Sequence, residues 1–499
     1  MSIKKFYATA DTTITNAYEE NLRQRGVDAN MGLSDSLEIF FIYGQNPNPG
    51  VEADKLEEAR ILIKFDTNSI VDFYDNNFPT DVKFVLKLTN AAHPFTLARN
   101  YDINVYALEE SFSEGNGLDM ESYRDKDVAN WNERKVSTSW TTPGGLEGTE
   151  TLVATQRFDT GEENLEVDIT DYIEQVFAGA AGNNIGNGLQ QGVLDKGFII
   201  TMDGSITDGS QEQNFYTKKF FSRSSEFFFK RPVIEARDSS RIADDRGKFY
   251  AKRKTNSVVQ NTQRIYLYNS FEGMRSDFTP PEPDEELYVR FYTDEARTNQ
   301  ATLDPNVQFV QAVNQSEGIY YVDVILDESS LTKIYDQWYF AANGGTAEVD
   351  RTLVHEGEIT VIQNGSSANS GELDYRMDIT NLKTSYTRQE TAKFRIYTRQ
   401  KDWNPTIYTV ASKEIENLIV EKMYYKIVRL VDEETVLDYG IGAEGTNNEH
   451  TLVSYDALGS YFDFDMSLLE KGYMYGIKLM FSINGELREQ EEIFKFRVD

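Results

Sequence analysis

Between Val82 and Leu88 the chain reads Val-Lys-Phe-Val-Leu-Lys-Leu, with Phe84, Leu86 and Leu88 at period two. Lys83, Val85 and Lys87 alternate with them, the pattern of a strand with one face wetter than the other. Similar short runs recur at Ile61–Phe65, Ile103–Leu108 and Phe227-Phe-Phe229. The chain holds 29 Tyr and 30 Phe and is punctuated by glycine, which favours sheet over helix. One stretch departs from this. In Asp168–Phe177, Ile169, Tyr172, Ile173 and Val176 fall at helical spacing after an Asp or Thr cap and before Gly179. An all-β chain with one short helix is predicted.

At 499 residues, two to four domains are expected, each with its own core. No run of 18 apolar residues occurs, so no transmembrane helix is expected. Met1-Ser-Ile-Lys-Lys-Phe-Tyr7 has no apolar stretch and does not read as a secretory signal. There is no cysteine, which removes disulfides, thiolate zinc sites and Cys nucleophiles. The net charge is −32, from 82 acidic and 50 basic residues. Such a surface repels phosphate backbones, and nucleic-acid binding is not expected. The charge fits an exterior component that resists nonspecific association, and equally a large acidic protein from a saline habitat.

Short signatures follow one another in order over residues 1–238. They begin with Tyr7-Ala-Thr-Ala-Asp-Thr-Thr-Ile14, Asn30-Met-Gly32, Leu37-Glu-Ile39 and Ala59-Arg-Ile-Leu-Ile-Lys-Phe-Asp66. Trp140-Thr-Thr-Pro-Gly-Gly145, Val167-Asp-Ile-Thr170 and Gly197-Phe-Ile-Ile200 come next. Phe220-Phe-Ser-Arg-Ser-Ser-Glu226 and Arg231-Pro-Val-Ile-Glu235 close the set. The series resembles the DNRLRE-type jelly-roll modules (carbohydrate-binding module family 96). It is more similar still to the N-terminal part of structural proteins of marine T4-like and other tailed phages. The resemblance implies a jelly-roll-like sandwich over 1–238 in which a short helix precedes a buried strand.

Residues 239–284 read as a linker: a charged, weakly periodic stretch, a single strand at Ile265-Tyr-Leu-Tyr268, then Pro280, Pro281 and Pro283. Residues 285–370 and 371–499 read as two immunoglobulin-like β-sandwiches. Leu287–Thr293 is matched with Ala392–Thr398, Gly318–Val324 with Gly459–Asp465, and Gln337–Phe340 with Tyr473–Leu479.

No catalytic constellation emerges from the sequence. His93, His355 and His450 stand far apart and outside any HxxxH or HExxH pattern, and read as surface or loop residues. No GxSxG, GxxxxGK[ST] or GxGxxG occurs, and Gly182–Gly188 follows a helix and reads as a plain loop. Acidic pairs are too numerous to single out a glycosidase dyad. Asp203–Asp208 and Asp432-Glu-Glu434 are loops of hard oxygen ligands suited to a structural Ca²⁺, though a solvated acidic turn is the favoured reading. Trp131 and Trp140 are the candidate sugar-binding residues, weighed against the core role that the resembled family gives a similar Trp. Glu114–Met120 reads as a long surface loop available for contacts.

The resemblance implies a non-enzymatic virion structural protein of the neck or collar, upper tail or head surface. Its expected partners are other virion proteins and further copies of itself, with assembly in the host cytoplasm and no membrane or cofactor. The alternative is a carbohydrate-binding surface or adsorption module.

Overall fold

The computed structural model describes residues 3–20, 24–43, 56–77, 82–92, 97–124, 128–180, 194–207, 215–238, 241–251, 258–328, 330–345, 350–362, 375–401, 417–441, 449–483 and 486–499. They fall into two compact units, Ile3–Asp238 and Ser239–Asp499.

The main strands of the first unit are β1 Ile3–Thr15, β2 Ser36–Tyr43, β3 Leu56–Phe65, β4 Val82–Leu88, β5 Tyr101–Ala107, β6 Leu152–Phe158, β7 Leu165–Asp168, β8 Phe198–Met202, β9 Phe215–Phe221 and β10 Val233–Asp238. β1 serves two sheets. Its first half pairs with β10, and that sheet continues through β4 to β7. Its second half pairs with β3, and that sheet continues through β8 and β5 to β6. The register slips between Ala8 and Ala10, an irregularity of the kind that bends a strand. β2 lies between β3 and β9, and every one of these pairings is antiparallel. The result is the expected jelly-roll-like sandwich. Phe84, Leu86 and Leu88 all point into its core with Ile61, Ile63, Ile103, Val105, Phe158, Phe198 and Ile234.

Two eleven-residue helices flank the sheets, α1 Thr67–Asn77 and α2 Thr170–Ala180. α2 is the expected one. Asp168 caps it, accepting from the Thr170 amide at 2.9 Å, and Ile169, Tyr172, Ile173 and Val176 are buried. α1 was not expected. Asp66 accepts from the Asn68 amide and the Ser69 hydroxyl, and Ile70 is driven into the core with Phe73 against it. Its β-branched and Asn/Asp-rich text disguises a helix that tertiary packing selects. Phe227-Phe-Phe229, expected to be a strand, instead enters a single 3₁₀ turn at Phe228–Lys230. The Arg231-Pro232 step that follows is poorly suited to a ladder. Gly182–Gly188 lies outside the described residues.

The second unit opens with β11 Phe249–Tyr250 and β12 Gln263–Tyr268, followed by β13 Glu286–Tyr292, β14 Val310–Gln311, β15 Val313–Ser316, β16 Ile319–Val324, β17 Lys333–Ala341 and β18 Thr352–Ile362. These form two sheets, β11-β18-β17-β13-β14 and β12-β16-β15. Then come β19 Tyr375–Ile379, β20 Ser385–Tyr386, β21 Thr391–Gln400, β22 Met423–Arg429, β23 Glu434–Leu437, β24 Ser454–Asp456, β25 Gly459–Asp465, β26 Met474–Ile483, β27 Glu486–Glu489 and β28 Phe494–Val498. They give β20-β28-β26-β22-β23, with β27 on β26, and β19-β21-β25-β24. The two sandwiches thus share one immunoglobulin-like topology. In each, a short early strand pairs in parallel with the last, β11 with β18 and β20 with β28.

This topology corrects two readings. Residues 239–284 are not only a linker, because β11 and β12 belong to the first immunoglobulin-like sandwich and Phe249, Ile265 and Leu267 sit in its core. The prolines lie only in the connection from β12 to β13. The internal match also shifts. Gly318–Val324 with Gly459–Asp465, and Gln337–Phe340 with Tyr473–Leu479, are equivalent strands. Leu287–Thr293, however, corresponds to β22, and Ala392–Thr398 to β12.

The two sandwiches of this unit meet through the segment 241–248. The Tyr455 amide donates to Ile242 O at 2.9 Å and the Asp244 amide to Tyr455 O at 3.0 Å. The Tyr455 hydroxyl donates to Asp245 Oδ1 at 2.9 Å, and the Arg264 amide donates to Asp245 Oδ2 at 2.8 Å. The Arg246 guanidinium reaches fully buried Asp336 at 2.6 Å, and Trp338 Nε1 donates to the same carboxylate at 2.7 Å.

A fragment starting at Asp284 therefore lacks two core strands. It should lose the cooperative unfolding transition of the first immunoglobulin-like sandwich, while a fragment starting at Ser239 retains it. Calorimetry on both fragments decides the boundary, and an unchanged transition in the shorter one would restore the linker reading.

Candidate functional site

Three of the ordered signatures and the Glu114–Met120 stretch converge on one place in the first unit. Asp11 lies on β1, Asn30 on the two-residue strand Ala29–Asn30, Glu114 in the loop after β5, and Arg223 just beyond β9. Glu114 Oε1 accepts from the Asp11 amide at 2.8 Å, and both Glu114 oxygens take the Arg223 guanidinium. The Arg223 amide donates to Asp11 Oδ2 at 2.7 Å. Asn30 Nδ2 donates to Glu114 O at 2.8 Å and Ala129 O at 2.9 Å. Asn30 Oδ1 accepts from the amides of Gly32 at 3.0 Å and Gly117 at 2.7 Å. A Cβ on Gly117 would sit 1.8 Å from Asn30 O, so only glycine permits this approach. Residues 114–117, read from sequence as surface loop, are thus locked into the fold.

Burial pushes the Asp11 carboxyl up to about 7, opposed by the Arg223 amide and reinforced by the Glu114 charge. The Glu114 hydrogen bonds raise the Arg223 pKa in turn.

Trp131 and Trp140, the candidate sugar platforms, belong to a second cluster on the outer face of the β1–β3–β8 sheet, with Ile14, Leu62, Phe112 and Ile199. They are 8% and 4% exposed. Trp140 Nε1 donates to Asn130 O at 2.9 Å. Arg60 lies 5.0 Å over the Trp131 ring, donates to Gly144 O at 2.7 Å and pairs with Glu58 at 2.6 Å. A Cβ on Gly144, at φ +86°, would meet the Trp131 ring at 2.8 Å. The Trp-Thr-Thr-Pro-Gly-Gly signature is therefore a clasp for the long loop, with no indole face offered to a ligand.

The calcium loops are committed elsewhere. Asp203 caps a helical turn, accepting from the Ser205 amide at 2.9 Å and from Asn104 Nδ2 at 2.8 Å, and these bonds hold its pKa low. Asp208 lies outside the described residues. Asp432 takes the Arg429 guanidinium at 2.7 Å. Among the described residues no group of three or more His, Asp or Glu has metal-holding geometry. Of the histidines, His355 is exposed on β18, His450 is buried in a turn, and His93 lies outside the described residues.

Two further buried charges escaped the sequence reading. Lys218 is 1% exposed, donates to Asn90 Oδ1 and Gly161 O at 2.7 Å each, and lies over the Phe158 and Phe220 rings. Burial lowers its pKa to about 8. Glu235 is fully enclosed. Burial would raise its pKa, but Lys5, Lys87 and Arg237 outweigh that and hold it low.

What the first unit does offer to solvent is a run of rings. Tyr7, Phe221, Phe228 and Phe229 are half-buried, and Phe227 is 46% exposed. Tyr7 packs on Phe228 at 4.9 Å, Phe221 on Phe227 at 5.6 Å and Phe228 on Phe229 at 5.4 Å. Lys230 Nζ lies 5.3 Å and 5.2 Å from the Phe221 and Phe227 ring centres, and Arg231 lies 5.6 Å from that of Phe228. Half-exposed rings carrying cations form a surface suited to an acidic, partly apolar partner.

No protein-family model matches the chain, and no curated protein matches it. Among solved structures, the tandem Ig repeats of Dlar are similar over 48% of this chain and 89% of theirs, at 7% identity and TM-score 0.14. The N-terminal Ig1-2 module of the Drosophila receptor protein tyrosine phosphatase DLAR gives 7% identity and TM-score 0.14, over 48% of this chain and 91% of that one. The chicken CNTN1 FN1-FN3 domains give 8% identity and TM-score 0.16, over 84% of this chain and all of theirs. At such scores the strand pairings themselves carry the description of the fold.

The Asp11–Glu114–Arg223 cluster makes the stability of the first unit depend on pH. Asp11 has a folded-state pKa of about 7, above its unfolded value, so the native state binds the extra proton. The stability this contributes is complete below the unfolded value of about 4 and is lost as pH rises through 7. The urea midpoint of the first unit should fall between pH 5 and pH 8. Asp11→Asn, which retains an acceptor for the Arg223 amide, should flatten that fall; an unaltered slope would show that Asp11 does not titrate there. Glu114→Gln should cost about 2 kcal/mol at pH 7 by leaving Arg223 without its counter-charge.

Proposed function

We propose that the chain is a non-enzymatic structural protein of a tailed-phage particle, built into the neck or collar, upper tail or head surface through protein–protein contacts. The observation that carries this reading is where the signature residues lie. Those in the signatures shared with the resembled phage proteins (Asp11, Asn30, Trp140 and Arg223) are spent on holding one sandwich together. The resemblance is thus one of architecture, and the surfaces remain for contacts. Apolar side chains at turns support it. Phe271 and Met274, on the hairpin Ser270–Phe271/Met274–Arg275, are 68% and 72% exposed, and such tips suit insertion into another protein. The indole burial described above leaves the sugar-binding alternative without the platforms named for it.

Mass spectrometry of purified particles should detect this protein at many copies per particle, and antibody labelling should place it on the head, neck or tail. A protein absent from particles, together with glycan-array binding by the free chain, would overturn the reading in favour of the carbohydrate module.

A further inference from the structure

Lys218 is buried at a seam between the two sheets of the first unit. It lies on β9 in one sheet, and Asn90 follows β4 of the other. The chain beyond β4 runs along β9, where the Ala91 amide donates to Lys219 O at 3.0 Å and the Phe221 amide to Thr89 O at 3.0 Å. Asn90 is bridged to Phe220, which sets Lys218 diagonally beside it on the same face. Lys218 Nζ donates to Asn90 Oδ1 at 2.7 Å, so with one carbonyl bond length added it lies within about 3.9 Å of Asn90 Cγ. The Phe158 and Phe220 ring centres stand 5.1 Å and 5.3 Å from the same nitrogen. Burial lowers the Lys218 pKa, and the charge of Glu163, in the turn between β6 and β7, works against it. Glu163 Oε1 accepts from the Asp159 amide at 3.0 Å and the Thr160 amide at 2.7 Å. Its Oε2 is buried with no hydrogen-bond partner among the described residues, and so is the hydroxyl of Tyr101, which stacks on Phe158 at 5.4 Å. Buried polar groups left unpaired in this way call for a chemical role.

We propose that Lys218 and Asn90 become joined by an intramolecular isopeptide bond, with Glu163 moving the protons. Glu163 Oε2 takes a proton from the Lys218 ammonium, and the freed lone pair of Nζ attacks Asn90 Cγ. The N–C bond forms as the carbonyl π pair moves onto Oδ1. That pair then returns, and the Cγ–Nδ2 bond breaks. Nδ2 leaves as an ammonium ion, carrying the proton held by Glu163 and one from the attacking nitrogen. An ammonium and a primary amide thus become a secondary amide and an ammonium ion, with nothing oxidised or reduced. The enclosure serves this step twice. It favours the neutral amine, and it keeps water from competing for Cγ. The chain itself holds amine and amide together, so the reaction is intramolecular and needs no partner. The product would tie β9 to the end of β4 across 128 residues, a covalent closure in a chain that has no cysteine to make one. The proposal does not rest on the particle reading above.

Mass spectrometry of the purified full chain should find it lighter than its sequence requires by one ammonia. Trypsin should release residues 88–99 and 197–219 as a single branched peptide, uncut after Lys218. A succinimide at an Asn-Gly step also loses ammonia but leaves these peptides separate, so an ammonia loss without the branched peptide overturns the proposal. So does a wild-type chain at its full sequence mass. Lys218→Met and Asn90→Ala should each lose the branched peptide completely. Glu163→Gln, which keeps the shape of the side chain, should lose most of it while its circular dichroism matches that of wild type. A branched peptide undiminished in Glu163→Gln would overturn the part given to that carboxylate. If a variant fails to fold, the wild-type peptide map still decides whether the bond exists. None of these readouts depends on finding the protein in a particle.

Discussion

A carboxylate or guanidinium taken out of water must meet its opposite or be expelled, and the first unit is arranged around one such meeting. Glu114 and Arg223 stand 109 residues apart in sequence and close on each other beside Asp11. Arg223 keeps 32% of its side chain exposed, so removing Glu114 costs less than the roughly 3–5 kcal/mol of breaking a deeply buried pair. Such a pair favours one arrangement of the chain over compact alternatives that apolar packing alone would tolerate. Here it sets the loop after β5 against β1, and Asn30 then ties the backbone beyond β5 down at Glu114, Gly117 and Ala129. The indole cluster of Trp131 and Trp140 packs on the outer face of the same sheet, beneath the continuation of that loop.

The same rule operates at the joint of the second unit. Asp336 is fully buried beneath Trp338 and is balanced by Arg246, which arrives from the segment preceding β11. Next to Arg246, Asp245 takes the Tyr455 hydroxyl and the Arg264 amide, and the Asp244 amide donates to Tyr455 O, so three consecutive residues join two sandwiches. Asp244, also buried, has its pKa pushed up to about 7 by burial, with Arg246 opposing. Its protonated form is favoured in the fold just as for Asp11. Each unit therefore carries a carboxyl that is disfavoured as pH rises from about 4 to 7. Asp336 and Glu235, held low by cations that outweigh burial, act in the opposite sense and only in stronger acid.

Legibility in the sequence followed how local the cause was. Period-two strands such as Val82–Leu88 and the 3.6-period helix after Asp168 could be read because their pattern is written in adjacent residues. β11 reads as linker because a two-residue strand has no periodicity, and the strand at Ile265–Tyr268 is cut off from its sandwich because Pro280, Pro281 and Pro283 draw the boundary too late. The internal repeat was matched correctly where a glycine precedes an aromatic strand, at Gly318 and Gly459. It slipped by one strand where only generic alternation was available, at Leu287 and Ala392. Arg223, Asp11 and Asn30 lie inside the ordered signatures and Glu114 in the Glu114–Met120 stretch, yet their meeting depends on contacts more than 80 residues apart. No local pattern states such contacts.

The distribution of charge then separates what folds the chain from what the chain shows to others. Several enclosed or half-buried cations are matched inside: Arg60 with Glu58, Arg237 with Glu235, Arg246 with Asp336, and Lys218 with neutral carbonyl oxygens and ring faces. Lys230 and Arg231 are half-exposed and laid on the rings of Phe221, Phe227 and Phe228. On a surface dominated by carboxylates, an exposed cation at an aromatic cluster concentrates both sources of interface energy, apolar area and charge contrast, in one spot. The three-phenylalanine run is informative for the same reason. Buried in a strand, it would have been core. Carried into a 3₁₀ turn ahead of proline, it leaves Phe227 46% exposed, apolar surface that the fold itself does not require.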